Sequence, residues 1–244
     1  MTYREQILSY AITYHGEYGQ IKKAIETNEP YQKAVCKYPY VTILDEDYPI
    51  ALRRLQYPPF ILFYQGDLSL SNKEAVAIVG SRKASPYGIL MSKHVVTLLR
   101  DKYVIVSGLA MGIDGMAHQV SLHHHTIAVI GCGIDCYYPK CNQSLQETIA
   151  KEHLILSEYP PGTLPLAHHF PWRNRILAGL SKAIVVIEAT HRSGTMITVN
   201  EGLELSLPIY CVPANFNSLN GKGSNYLIAQ GAQILVDDED IVAI

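Results

Sequence analysis

Five stretches of this chain gather side chains suited to holding an anion. They are Gly80-Ser81-Arg82, Ser107-Gly108 with Asp114 beyond it, Lys140, the run from His168 to Arg175, and Ser193-Gly194-Thr195. Glycine lets a ligand approach the backbone closely. The arginine fork matches two phosphate oxygens at once. A small-residue turn feeding a helix presents free N–H groups and the positive end of the helix dipole. Each stretch also has a plain structural reading. Arg82 fits a solvated surface turn, and Asp114 fits a capping group in a tight strand-to-helix turn.

The stretch His168-His169-Phe170-Pro171-Trp172-Arg173-Asn174-Arg175 is the most basic and aromatic. Pro171 predicts a helix start, which sets Arg173 and Asn174 in a first turn. Cations there oppose the dipole, so a bound polyanion or an internal carboxylate must balance them. Arg173 and Arg175 are two residues apart and face different directions. One is expected to meet ligand and the other an internal acid; the sequence leaves open which.

Catalytic patterns are absent. No Ser/His/Asp order or paired carboxylates stand out, and His168 and His169 read as loop histidines. The GxGxxG fingerprint is missing, and no acidic residue ends the strand at 107 to clamp a ribose, which argues against a dinucleotide. No cofactor is expected. Cys132, Cys136 and Cys141 cluster with only His123, His124 and His125 as possible companions. The paired C-x2-C spacing of a zinc site is missing, so no metal is expected and free thiols are the reading.

Four of these stretches follow apolar runs, at 75–80, 103–107, 126–130 and 183–188. Continuous apolar runs bounded by turn residues read as buried strands. Their alternation with helical patterns predicts a parallel sheet with helices on both faces, an α/β fold of Rossmann-like type. Ligands in such sheets sit beyond the carboxyl ends of the strands, where these turns lie. Further strands are expected at 40–44, 60–64, 154–157, 208–212 and 233–236. Helices are expected at 48–55, 86–101, 113–122, 143–151, 172–181, 196–205 and 224–230, with Ser85 capping and Pro86 opening the second of these. The block 38–67 reads as a prelude adding edge strands. Residues 1–35 carry the periodicity of two short helices across a turn at 15–19, docked on the main domain.

The chain has 244 residues, with 48% hydrophobic and 17% charged, a globular balance that excludes global disorder. Its net charge of −2 gives no whole-molecule basic field, so any polyanion site must be a local patch. With 17 tyrosines against 4 phenylalanines, aromatic surface with a polar handle is available for stacking. No segment has the length of a membrane span, and residues 1–20 carry no signal-peptide h-region or cleavage site, so no leader is expected. Five cysteines, an odd number without disulfide spacing, suit a reducing cytoplasm.

Taken together, the strings YPPFILFYQGDLSL, AIVGSRKASPYG, SGLAMGIDGMAH, AVIGCGIDCYYPKCN, LILSEYPPGTLP, FPWRNRILAGLS, VVIEATHRSGTMIT and NYLIAQGAQ resemble the DNA-processing protein A (DprA, or Smf) family over about residues 57–236. The resemblance implies an extended Rossmann-like domain that binds single-stranded DNA. It also implies a homodimer that loads RecA recombinase onto incoming DNA in natural transformation, with no enzymatic activity. The family's DNA pocket is built from strand-end loops, here Ser81, Arg82, Lys140 and 173–175. A dimer face on the helices at 196–205 and 224–230, with Leu203, Leu205, Leu227 and Ile228, is one location; core packing explains those residues equally well.

The domain reading is a short helical segment at 1–37 and the DNA-binding domain at 38–244. The family's N-terminal helical domain is usually larger, and the C-terminal winged-helix module of many members is expected to be missing. Where the family shows Val-Pro-Gly, this chain has Val212-Pro213-Ala214, and Asn215 in a left-handed conformation is expected to rebuild the turn. The competing readings are a nucleotide sensor and a phosphoribohydrolase-like enzyme. Those enzymes carry PGGxGTxxE with a catalytic Glu; here Thr198 stands at that place and Glu201 lies a turn further on.

Overall fold

The computed structural model describes residues 2–244. Nine strands form one sheet: β1 (Tyr40–Thr42), β2 (Ile61–Gly66), β3 (Ala75–Gly80), β4 (Val104–Ser107), β5 (Thr126–Ile130), β6 (Leu154–Ser157), β7 (Ala183–Glu188), β8 (Ile209–Cys211) and β9 (Gln233–Ile234). Their spatial order is β1-β2-β6-β5-β4-β3-β7-β8-β9. The seven strands from β3 onward pair in parallel, whereas β1 and β2 pair antiparallel and extend the β6 edge. The block 38–67 thus adds edge strands as its pattern predicts. Every residue of β4, β5, β6 and β7 is buried, because helices cover both faces.

The helices are α1 (Tyr3–Thr13), α2 (Tyr18–Glu26), α3 (Pro86–Leu99), α4 (Ile113–Ser121), α5 (Gln143–Glu152), α6 (His169–Leu180), α7 (Gly194–Glu204), α8 (Lys222–Ala229) and α9 (Asp238–Val242). Short 3-10 turns stand at Ile50–Arg54, where a helix was expected, and at Leu68–Asn72 and Lys140–Asn142. On one face, α3 and α4 pack Val95, Val96, Leu99, Ile113 and Ala117 onto Val76, Ile78 and Ile105 of the sheet. On the other, Ala178 of α6, Val199 of α7 and Leu227 of α8 cover Ala77, Val79, Ile184 and Val186. Leu227 therefore belongs to the core, and only Leu203, 57% exposed, stands clear among the four residues considered for a dimer face.

Local signals act where they were read. The Ser85 hydroxyl accepts the Gly88 N–H at 3.1 Å and Pro86 opens α3. The α1–α2 hairpin buries Ile7, Leu8, Ala11, Ile21 and Ala24 against Phe63, Ala128, Ile130 and α5. Each Ile or Leu so covered contributes about 1.5–3 kcal/mol, which holds two helices too short to persist alone.

Three expectations need correction. Helix α6 begins at His169, two residues before Pro171, so Arg173 falls in its second turn. Asn215 is not in the left-handed region. Instead Asn225 clasps Ala214, accepting its N–H at 3.0 Å and donating to its carbonyl at 2.9 Å. Residues 238–242, beyond the last element expected from sequence, form α9. Asp237 caps it by accepting the N–H groups of Glu239 and Asp240, and Ile241 is buried.

Candidate nucleic-acid interface

The chain leaves β3 toward β4 and later returns to lay β7 on its other side, so connections diverge between these two strands. Such a switch point opens a crevice beyond the strand ends. Here it is a cleft of about 680 Å³. Its floor is braced by Glu188 at the end of β7. The Glu188 carbonyl accepts the Ser81 N–H at 2.7 Å, and its buried carboxylate accepts from the Ser85 N–H at 2.8 Å and the Ser85 hydroxyl at 2.6 Å. The turn after β4 packs on the turn after β3. Gly112, with φ +75°, has no room for a side chain, since a Cβ would stand 2.2 Å from the Ser81 carbonyl oxygen. Asn142 donates to the carbonyls of Leu109 and Ala110 at 3.0 and 3.1 Å and holds that turn from outside.

Eight of the twelve residues expected to touch nucleic acid line the cleft, Gly80, Ser81, Arg82, Arg173, Asn174, Ser193, Gly194 and Thr195, and Asp114, read as a cap, lines it too. Arg173 is buried, yet its Nε and Nη1 have no hydrogen-bond partner. Among the described residues it forms no ion pair within 4.0 Å. Burial pushes its pKa down to about 10, against the pull of the Asp114 carboxylate, so it stays charged at neutral pH. Burial pushes the Asp114 carboxyl up, opposed by Arg173 and by N–H bonds from Gly108 and Ala110. A buried cation with free N–H groups is costly unless something pairs with it. Arg82 is exposed at the rim, its guanidinium 5.6 Å from the centre of the Phe170 ring. Across the cleft α7 begins at Gly194 with no side chain capping its N–H groups, since the Ser193 hydroxyl donates to the Thr190 carbonyl instead.

The other four residues stand elsewhere. Ser107 is fully buried and its hydroxyl donates to the Ile78 carbonyl at 2.6 Å, tying β4 to β3. Gly108 is buried beneath Arg173, and its N–H is taken by Asp114 at 3.1 Å. Lys140 is exposed but outside the lining of the cleft. Arg175 is the internal partner of the arginine pair. It is buried against Glu158 at 2.6 Å, donates to the Tyr57 and Trp172 carbonyls, and packs on the Trp172 ring at 4.1 Å. Arg173 and Arg175 are two positions apart on the helix, enough to send one to the cleft and the other to the core.

Lys83 and Tyr138, which sequence reading passed over, also line the cleft, as does Phe170 of the basic and aromatic run. The Tyr138 and Phe170 rings lie 5.3 Å apart. Basic residues interleaved with aromatics were the available signal for them.

The sheet is doubly wound and Rossmann-like, and its switch-point cleft brings together an arginine without an ion-pair partner, rim cations, an aromatic pair and an uncapped helix N-terminus. The chain belongs to the family of DNA recombination-mediator protein A, whose model matches residues 39–244. It is 43% identical to DNA processing protein DprA of Streptococcus pneumoniae over 213 residues, 86% of this chain and 76% of that protein. It is 40% identical to the Bacillus subtilis DprA over 205 residues, 82% of this chain and 69% of that one. The solved DprA structure from S. pneumoniae superposes with a TM-score of 0.82 at 36% identity, covering 98% of this chain and 92% of that chain. DNA processing protein A of Helicobacter pylori, for which a single-stranded DNA binding mode is described, superposes with a TM-score of 0.78 at 30% identity, covering 85% and 95%. Among the described residues no helix is long and apolar enough to cross a membrane.

Proposed function

We propose that this chain binds single-stranded DNA in the β3/β7 cleft and serves as a recombination mediator that protects incoming strands and loads RecA recombinase, working as a cytoplasmic homodimer without catalysing a reaction. The observation that carries the reading is the buried Arg173 guanidinium, which lines a cleft rimmed by Arg82 and Lys83 and keeps N–H groups without a partner. A phosphate there would balance a charge the protein leaves unpaired. Tyr138 and Phe170 offer a stacking surface that a duplex, with its bases already stacked, would not use. Lys140, just outside the lining, would meet the strand as it leaves.

Binding is favoured over nucleotide hydrolysis by the placement of carboxylates. Glu201 does not line the cleft, and Asp114, which does, is engaged by the Gly108 N–H. Two shallow sites on one strand would raise avidity without new contacts, which favours a dimer.

The test is fluorescence anisotropy with oligo-dT, duplex DNA, AMP and NAD as competitors at several salt concentrations. A protomer neutralising roughly three to four phosphates gives a slope of log K against log salt of about −2 to −3. A flat salt response, or tighter binding to duplex, would reject the reading. Light scattering at tens of micromolar distinguishes dimer from monomer, and RecA-dependent strand pairing on coated single strands reports the mediator role.

A further inference from the structure

Away from the cleft, three side chains converge where the N-terminal hairpin meets the loop before α6. They are Glu17, which immediately precedes α2, and His168 and His169. One ligand atom from each lies within 4.8 Å of the others. His168 Nε2 is 3.0 Å from Glu17 Oε1, and His169 Nε2 is 3.5 Å from the same oxygen. The His169 ring is 1% exposed and stacks on Tyr159 at 3.8 Å, which fixes its plane. Its Nδ1 lies 3.2 Å from the Gly131 carbonyl oxygen, an atom that can only accept. Nδ1 therefore carries the proton, and in a neutral ring Nε2 presents a lone pair. That buried Nε2 has no hydrogen-bond partner and is aimed at a carboxylate oxygen. Two electron-rich atoms facing each other, one of them buried, are relieved by a cation between them or a proton on one.

We propose that Glu17, His168 and His169 form a three-ligand site for a zinc-class divalent cation that clips the α1–α2 hairpin to the loop framing the cleft. Two imidazoles and a carboxylate are a donor set such ions take. Bonds of about 2.0–2.1 Å in a tetrahedron put ligand atoms about 3.3–3.4 Å apart, and the two distances to Glu17 Oε1 bracket that value. A metal-bound histidine commonly donates its other N–H to a carbonyl, which is the contact His169 makes with Gly131. Water completes the fourth position. His168 Nε2, which donates to Glu17 when no ion is held, gives up that proton to its own Nδ1 or to solvent, so uptake weakens in acid. Of the ions that fit imidazole and carboxylate, Zn2+ is the commitment; Ni2+ and Cu2+ would bind by the same donors.

The test uses the tag-free full chain stripped with a chelator, then titrated with Zn2+ against a chromophoric zinc indicator and with Co2+ in the visible. One equivalent is expected, with Co2+ d–d bands and no thiolate charge-transfer band. Glu17→Gln and His168→Ala alter half-buried and exposed groups, so their folding is checked by circular dichroism. Each should weaken Zn2+ binding by at least about 10–100-fold, the loss that even outer-shell partners cause. Zn2+ should raise the melting temperature of the parent chain and not that of either variant. Cys141→Ser, which alters the exposed thiol, should bind as the parent does. No uptake, or uptake unchanged in both ligand variants, overturns the site. So does uptake lost in Cys141→Ser with a thiolate band, which would place the ion on the cysteines.

Discussion

The Arg173 guanidinium occupies the space that a side chain on residue 108 would need: a Cβ built on Gly108 stands 2.0 Å from Nη1, 2.6 Å from Nη2 and 2.7 Å from Cζ. The glycine after β4 and the arginine on α6 are thus one device. The missing Cβ admits a cation into the floor of the cleft, and the strand-end turn holds it there.

Gly108→Ala should therefore act through Arg173. Overpacking a buried site costs about 1–3 kcal/mol, and the arginine must leave its place. The expected outcome is a folded protein with a lowered melting temperature and oligo-dT affinity reduced as far as in Arg173→Ala. If Gly108→Ala binds like the parent, the position of Arg173 is irrelevant to the strand.

Arg82 and Arg175 should separate binding from stability. Arg82 is exposed at the rim, and exposed ion pairs contribute only about 0–1 kcal/mol. Arg82→Ala should melt within a degree or two of the parent while losing about 1.5–3 kcal/mol of single-strand affinity, roughly ten- to a hundredfold. Arg175→Ala strands the buried Glu158 carboxylate and should cost about 3–5 kcal/mol of stability. Thermal melts paired with anisotropy decide both; unchanged affinity in a folded Arg82→Ala would make that turn purely structural.

Phe170 tests the stacking surface. Its ring lies beside Tyr138 and under Arg82. Base–aromatic stacking is worth about 1–3 kcal/mol per base. Phe170→Ala should weaken oligo-dT binding without changing the salt slope, because no phosphate contact is removed. Arg82→Ala should make the slope shallower. A slope that moves equally in both would deny the aromatic pair a separate role.

His118 gives the fold an acid limit. It is fully buried, its Nδ1 2.7 Å from the Thr126 hydroxyl, and its Nε2 has no partner. Burial, and then the Arg173 charge, push its pKa down from 6.5 to about 3. Between those values the unfolded chain binds the proton and the folded chain does not. Stability therefore falls as pH drops from about 6.5 toward 3, by about 5 kcal/mol from this group at most. His118→Asn should flatten that part of the stability–pH curve in urea titrations. An unchanged curve would mean that other groups set the acid limit.

Much of the architecture was written locally. The runs at 75–80, 126–130, 154–157 and 183–188 are strands with the bounds their apolar pattern predicts, and Ser85-Pro86 opens α3 through contacts within four residues. The glycine-bearing turns mark the binding edge because backbone conformation at a strand end depends on the residues of that turn. Other features depend on what the sheet order brings together. Ser107 looked like Ser81 in its turn, but its hydroxyl meets Ile78 on a neighbouring strand and is spent there. The choice between Arg173 and Arg175 rested on Glu158, which lies in a different loop. The meeting of Glu17 with His168 spans 151 residues and no periodicity announces it. Strands and turns follow from the backbone preferences of neighbouring residues, so the sequence alone determined them. Which charges end paired and which remain free is set by contacts between segments distant in the chain, and only the tertiary structure decided it.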